Sequence, residues 1–228
     1  MIISEKECKA KKLHFWLDQF LGEVHIFEKL LTEWARIGVQ VTIYIEAGTA
    51  DMMKPPDEIR TNRPLLRKIK EDDADSIWLS LAQDIEVTKY LSWMPRTNIE
   101  QVRDFVRRRI EDWQDNLVYT WAICLSEGSL IGLIDLELYK STVLAGLLLE
   151  RKSWNKGIAT EALQTIIKWA MDQPAIFRVW AFCDVENIAS IRVLEKVGMI
   201  REGILHRWRI HPNISSIPRD CFSYACYK

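Results

Sequence analysis

Apolar and polar residues recur along this chain with two different periods, and the changes of period mark its elements. From Glu5 to Ile37 the apolar residues Leu13, Trp16, Leu17, Phe20, Val24, Phe27, Leu31 and Trp34 return every third or fourth position. That spacing predicts an amphipathic helix, interrupted near Gly22 and closed by Gly38. Val39, Val41, Ile43 and Ile45 then alternate with Gln40, Thr42, Tyr44 and Glu46, the pattern of a strand with one buried face. "AGTADMMKPPDE" follows, with Gly48 and the Pro55-Pro56 pair, and reads as a linker. Residues 1–56 are therefore expected to form an N-terminal helix-strand extension, and residues 57–228 the main domain.

Beyond the linker, "IRTNRPLLRKI" is strand-like and "DDADSIWLSLAQD" opens a helix on Asp72 and Asp73. "TNIEQVRDFVRRRIEDW" begins with a capping box, Thr97 to Glu100, and carries Val102, Phe105, Val106 and Ile110 on one face. Three strands come next, in "LVYTWAICL", "SLIGLIDLEL" and "TVLAGLLLE". A helix after "WNKG", the strand "IFRVWAFC", a helix from Asn187 to Val197 and two closing strands complete the chain. The order β-α-α-β-β-β-α-β-α-β-β predicts a mixed α/β (α+β) domain.

At 228 residues the chain is long enough for one large domain, or for an ordinary domain with an extension. Its 48% hydrophobic and 28% charged residues are those of a globular protein. A formal net charge of −1 gives no general field for nucleic acid or an anionic membrane, and neither partner is expected. "RRR" at Arg107 to Arg109 is read as a solvated helix face. No apolar run reaches the ~20 residues that span a bilayer, and "MIISEKECKAKK" lacks the apolar core of a signal peptide. The cysteines Cys8, Cys124, Cys183, Cys221 and Cys226 form neither a CxxC pair nor a metal-like cluster. Their odd number suggests a reducing, cytoplasmic setting, and no metal is expected.

The chemistry concentrates in "WNKGIATEA", Trp154 to Ala162. The start of a helix carries free backbone N–H groups and the positive end of the helix dipole. Gly157 lets the main chain bend tightly there, and the small Ala159 lets another group approach, so the loop suits a phosphate or pyrophosphate. The Gly-x-Gly-x-x-Gly of a dinucleotide fold and the Gly-Lys-Ser/Thr of a P-loop are both missing. Taken alone, the same residues also describe a plain strand-to-helix turn. Asn187 and Ser190 share the start of a later helix, where Asn187 also suits an N-cap.

Several separated stretches in order, "LLRKIKEDDADSIWLSLAQDIEVTKYLSW", "AGLLLERKSWNKGIATEAL", "DVENIASIRVLEKVGM" and "HPNISSIPRDCFSYA", resemble the Gcn5-related N-acetyltransferase (GNAT) superfamily. Within it they resemble the RimJ/RimL-type ribosomal-protein N-acetyltransferases, over nearly all of residues 57–228. The resemblance implies a mixed, mostly antiparallel sheet with helices on both faces. It also implies acetyl-CoA as co-substrate, its pyrophosphate held by backbone amides of Trp154, Asn155, Lys156, Gly157, Ile158, Ala159 and Thr160. Trp154 stands where most members have Gln or Arg, though this branch often has an aromatic. The strand "AGLLLE" would part from "IFRVWAFC", turning main-chain groups near Leu148 and Leu149 towards the thioester.

By the same resemblance Asn187 holds the coenzyme arm. Many members have a tyrosine that protonates the departing thiolate, but that position is Leu194 here, and Ser190 takes the contact instead. Relatives often carry a glutamate base at the position of Leu144; Glu137 on the neighbouring strand is the candidate substitute, and Asp135 points the same way. An exposed-strand acid is the alternative for both. Glu161 at the helix start needs no role beyond the dipole. Trp93 lies in a loop that borders the acceptor site in relatives, where an ordinary packing role is equally open. Together these features describe an acetyl-CoA-dependent N-acetyltransferase with direct transfer to a primary amine. Its first-choice acceptor is a protein or peptide N-terminal α-amine, and its alternatives are a small amine such as a polyamine, amino acid or antibiotic, or a coenzyme-binding module without turnover. The apolar front is expected to pack on the domain or on a second copy of it, as in a homodimer.

Overall fold

The computed structural model describes residues 13–15, 41–43, 53–125 and 128–228. The chain divides into two compact units, Met1–Ala47 and Gly48–Lys228. In the first, β1 (Leu13–Phe15) pairs in parallel with β2 (Val41–Ile43). The helix expected over Glu5–Ile37 is thus corrected at Leu13–Phe15, where pairing to a distant strand overrides a local helical period. The rest of that expected helix lies outside the described residues.

The second unit is built on an eight-stranded sheet. Its strands are β3 (Glu58–Arg60), β4 (Leu65–Lys68), β5 (Val118–Cys124), β6 (Leu130–Tyr139), β7 (Thr142–Leu149), β8 (Arg178–Asp184), β9 (Ile200–Arg209) and β10 (Arg219–Tyr227). They lie in the order β3-β4-β5-β6-β7-β8-β10-β9. Every neighbouring pair is antiparallel except β7 and β8. The strand expected in "IRTNRPLLRKI" is in fact a hairpin. Thr61 N donates to Pro64 O at 3.2 Å across the tight turn that Pro64 closes.

Among the described residues the unit has five α-helices: α1 (Asp73–Ile77), continued by a π-helical turn at Trp78–Ala82, α2 (Ile85–Thr88), α3 (Ile99–Gln114), α4 (Ile158–Asp172) and α5 (Ile188–Lys196). The alternation of side chains along β5 decides which helices cover which face. Tyr119, Trp121 and Ile123 pack with Ala162 and Ile166 of α4, whereas Ala122 and Cys124 pack with Val102 and Val106 of α3. β5 is consequently buried along its whole length. Met53, 1% exposed, belongs to the first of these cores, and Trp121 Nε1 donates to Pro56 O at 3.0 Å. The end of the expected linker is therefore packed onto the sheet.

Three local expectations change. Asn98, rather than Thr97, caps α3, its Oδ1 accepting from Glu100 N at 2.9 Å. Asp72 makes no side-chain cap on α1. Asp73 is buried instead, accepting two bonds from the Arg67 guanidinium (2.8 and 2.6 Å) and one from Lys70 N (2.9 Å). A carboxylate so shielded needs those partners, and they fix the start of α1 against β4.

Candidate active site

The sheet opens at one place. β7 and β8 are registered only from Thr142 to Leu144, opposite Arg178 to Trp180. Beyond Leu144 β7 stays paired with β6 as far as Leu149, and β8 stays paired with β10 as far as Asp184. The two strands thus part, and backbone of residues 145–149 borders the gap. Leu148 lines a cavity beside it, while Leu149 is buried on the opposite face.

The polypeptide leaves β7 through a 3₁₀ turn, Arg151–Ser153, and then enters the glycine loop. Trp154 Nε1 donates to Leu149 O at 2.7 Å, so the indole closes the last carbonyl of the strand. Asn155 and Gly157 both adopt positive φ, 58° and 77°. Gly157 is the N-cap of α4 and has no side chain with which to cap it. The first backbone bond of the helix runs from Glu161 N to Gly157 O at 3.1 Å. The N–H groups of Ile158, Ala159 and Thr160 therefore have no partner within the helix, and they point to the exposed loop of residues 154–157. Such an end attracts an anion.

Glu161 ties this loop to the β3–β4 turn. Its carboxylate accepts from Thr61 Oγ1 (2.8 Å), Arg63 N (2.8 Å) and Arg63 Nε (2.7 Å). Burial alone would raise its pKa, but the donors from Thr61 and Arg63 outweigh burial and hold it below the usual carboxylate range. Arg63 also donates from Nη1 to Lys156 O at 2.6 Å. A Cβ on Gly157 would meet Arg63 Nη2 at 3.2 Å, so both φ and space favour glycine there.

On the far side of the gap, Asn187 caps α5 through Oδ1, which accepts from Ser190 N at 3.2 Å. Its side-chain NH₂ keeps two donors beyond that cap. Ser190 is half-buried one turn before Leu194, which is 6% exposed and part of the core.

The cavity beside β6 and β7 measures about 180 Å³. α1, α3 and the loop after α2 supply the other walls. Trp93 lines it under the Arg96 guanidinium, which lies 4.8 Å from the ring centroid. Asn213, from the β9–β10 connection, donates to Thr88 O (2.7 Å) and Trp93 O (2.8 Å) and so fixes that loop. Asp135 lines the cavity and Glu137 does not; Glu137 Oε1 accepts instead from Tyr139 Oη at 2.5 Å. Burial pushes the Asp135 carboxyl up, against the pull of the Arg109 guanidinium and of the Thr120 hydroxyl across on β5.

Residues 63–200 match the family described as "Acetyltransferase (GNAT) domain". The chain belongs to the GNAT acetyltransferase family. It is 30% identical over 155 residues to the uncharacterized N-acetyltransferase p20 of Bacillus licheniformis, covering 65% of this chain and 85% of that protein. It is 32% identical over 151 residues to the uncharacterized N-acetyltransferase YnaD of Bacillus subtilis (strain 168), covering 65% and 86%. A crystal structure of a GNAT-family acetyltransferase from Bacillus anthracis superposes with a TM-score of 0.66 at 29% identity, over 75% of this chain and 98% of that one. RimL, a ribosomal L7/L12 α-N-protein acetyltransferase solved with coenzyme A, shares the fold with a TM-score of 0.68 at 19% identity, over 75% and 97%.

This GNAT acetyltransferase is thus an acyltransferase. The structure has two openings here: the uncapped end of α4, formed by the 154–160 loop, and the cavity, lined by Leu148 and Trp93, whereas Asn187 and Ser190 stand at the start of α5, after the end of β8. Arg63 and Arg109 are among the residues at these openings that had not been singled out from the sequence. Arg63 gives no local signal, because its partner Glu161 is far along the chain. Arg109 had a signal that the "RRR" run obscured: Val102, Val106, Arg109 and Trp113 recur at helical spacing, and the other three are buried. The expectation of a solvated face is corrected for Arg109, which pairs with Asp112 at 2.8 Å and lines the cavity, whereas Arg107 pairs with Asp104 and remains exposed.

Among the described residues no group of three or more His, Cys, Asp or Glu side chains is placed to hold a metal ion. Among the same residues no helix is long and apolar enough to cross a membrane.

Proposed function

We propose that this N-acetyltransferase takes acetyl-CoA as donor and transfers the acetyl group directly to the N-terminal α-amine of a protein or peptide. One observation carries the reading: the parted strands β7 and β8 have an uncapped helix end at their mouth and a small cavity containing a carboxylate at their flank. The amides of residues 154–160 receive the pyrophosphate, which the dipole of α4 favours. Main-chain N–H near Leu148 and Leu149 stabilises the oxygen charge that develops on the thioester carbonyl. The Asn187 amide holds the pantetheine arm, and the Ser190 hydroxyl hydrogen-bonds the leaving thiolate, since Leu194 has no proton to give. Trp93 borders the acceptor, and a β6 carboxylate, Glu137 or Asp135, receives its proton. The acceptor class is the one named for RimL, a protein of the same fold, and a cavity sized for one residue suits a chain end. The chain as a whole is expected to work in the cytoplasm.

The test is release of coenzyme thiol from acetyl-CoA with N-terminal peptides, polyamines and amino acids offered separately. Turnover with peptides supports the reading; turnover with small amines alone moves the enzyme to metabolism or detoxification. Ser190→Ala should lower turnover and leave acetyl-CoA binding in place.

A further inference from the structure

A buried polar cluster joins the β9–β10 connection to the end of β8. His211, 3% exposed, carries its Nε2 3.6 Å from Asp184 Oδ2 and 3.9 Å from Cys221 Sγ. Burial pushes the Cys221 thiol up to about 11, so it keeps its proton and can donate to Nε2. The separation from Asp184 is too long for a hydrogen bond, and a bare Nε2 has no proton to offer a carboxylate. Asp184, 1% exposed, is engaged elsewhere. Its side chain accepts from Arg219 Nε (2.6 Å), Arg219 Nη2 (3.1 Å) and Glu186 N (2.9 Å), and its main-chain carbonyl accepts from Asn187 N at 2.9 Å. Arg219 also reaches Glu186 Oε2 at 2.8 Å. The turn of residues 184–187, on which Asn187 stands, is therefore held by one buried residue. Burial would raise the pKa of Asp184, but Arg219 and the Glu186 N–H outweigh burial and hold it below the usual carboxylate range.

The His211 ring also meets the loop after α2. Tyr90 packs on it edge-on, with 6.2 Å between ring centroids, and donates from Oη to Glu186 O at 3.1 Å. The groups that face the ring are thus Asp184 of β8, Arg219 and Cys221 of β10, Arg209 of β9, Tyr90 and the backbone of Leu91. Burial has the largest influence and lowers the pKa of His211; Asp184 and the Leu91 backbone favour the charged ring, and Arg219 and Arg209 oppose it. The ring is accordingly neutral at pH 7. A proton added at Nε2 removes the acceptor of the Cys221 thiol. It also creates a charged donor 3.6 Å from Asp184 Oδ2, the oxygen that Arg219 Nε holds.

We propose that His211 and Asp184 are positioning residues for coenzyme binding: the neutral imidazole leaves Asp184 to hold the turn of Asn187, and the protonated one draws the carboxylate off that turn. This rests on the reading above, in which Asn187 holds the coenzyme arm. Protonation and coenzyme binding are then linked. If a proton on His211 weakens acetyl-CoA binding by some factor, acetyl-CoA weakens the hold of His211 on that proton by the same factor.

The experiment follows the His211 imidazole of the full chain by NMR through a pH titration, with and without saturating acetyl-CoA. A coupling of about fivefold or more, ordinary for linked sites, lowers the pKa of the ring by at least about 0.7 in the complex. A merely structural histidine would titrate at the same pKa in both states. Equal pKa values, or a ring that stays neutral until the protein unfolds, would overturn the proposal. Acetyl-CoA affinity supplies a second readout, measured by isothermal titration in the parent and in His211→Gln, whose amide takes up no proton in this range. The parent should lose affinity more steeply towards acid pH, while the coenzyme's own phosphate monoester, pKa about 6, affects both proteins alike. Parallel losses would overturn the coupling. Acetyl-CoA that binds neither protein at neutral pH would overturn the donor reading and this proposal with it. Intact binding with an unmoved His211 pKa would overturn this proposal alone.

Discussion

Asp135 and Gly146 sit directly opposite each other on β6 and β7, and a Cβ added to Gly146 would have Asp135 Cβ, at 4.0 Å, as its sole neighbour within 4 Å. The glycine does not serve backbone strain, because φ here is not positive. It keeps cavity space open beside the carboxylate. Gly146→Ala should therefore fold as the parent does, and Gly146→Val should fill the space. We expect Gly146→Val to raise the acceptor KM by about 10–200-fold, the range for one or two methylenes misfitted in a pocket, with acetyl-CoA affinity retained. Isothermal titration with acetyl-CoA alongside steady-state kinetics separates the effects; an unaltered acceptor KM would place the acceptor elsewhere.

Trp154 joins the coenzyme loop to the strand before it. The bond from its Nε1 to Leu149 O is neutral and half-buried, so its net worth is about 0.5–1.5 kcal/mol. Trp154→Phe keeps a ring and removes the donor. The expected outcome is a loss of about 1 kcal/mol in urea unfolding, with weaker acetyl-CoA binding because residues 154–157 lose their anchor to β7. Stability and affinity that both stay at parental values would mean the indole only fills space.

Much of this site could be read locally. The tight turn at Gly157, the helix that begins at Ile158 and the cap at Asn187 are each written within a few neighbouring residues, because positive φ, free amides and Asx capping are short-range properties. The parting of β7 from β8 was legible only through the family resemblance, since nothing in "AGLLLE" itself specifies where a neighbour departs. Arg63 and Asn213 were illegible for a related reason: their partners, Glu161, Thr88 and Trp93, are brought to them by the sheet and not by sequence spacing. The front of the chain shows the opposite failure. A helical period runs through Leu13, yet Leu13–Phe15 pairs as a strand with Val41–Ile43, a choice made by a partner the periodicity cannot see.

Asn187 has two duties that substitution can pull apart. Its Oδ1 caps α5 at Ser190 N, while its NH₂ is assigned to the coenzyme arm. Aspartate caps as well as asparagine but has no NH₂ to donate. Asn187→Asp should therefore melt with the parent and bind acetyl-CoA more weakly. Asn187→Ala should lose both functions, with a stability cost of about 0.5–2 kcal/mol from the missing cap. Parental coenzyme affinity in the aspartate variant would leave Asn187 a cap and nothing more.

Glu161 gives the coenzyme loop a dependence on pH. Its pKa in the folded protein lies below the ordinary 4.5, because the donors of Thr61 and Arg63 favour the charged form over the cost of burial. A carboxylate depressed by folding binds fewer protons in the native state than in the unfolded chain, so its contribution is complete above the unfolded pKa. It is lost as pH falls from about 4.5 through the lower, folded value. Glu161→Gln removes that ionisation and leaves Arg63 without a carboxylate. We expect the variant to be less stable than the parent at pH 7 in urea unfolding, with the gap closing progressively below pH 4.5. Because Arg63 also holds Lys156 O, the variant should bind acetyl-CoA more weakly at pH 7 as well. A stability gap that persisted undiminished at acid pH would show that Glu161 acts through shape and not through charge.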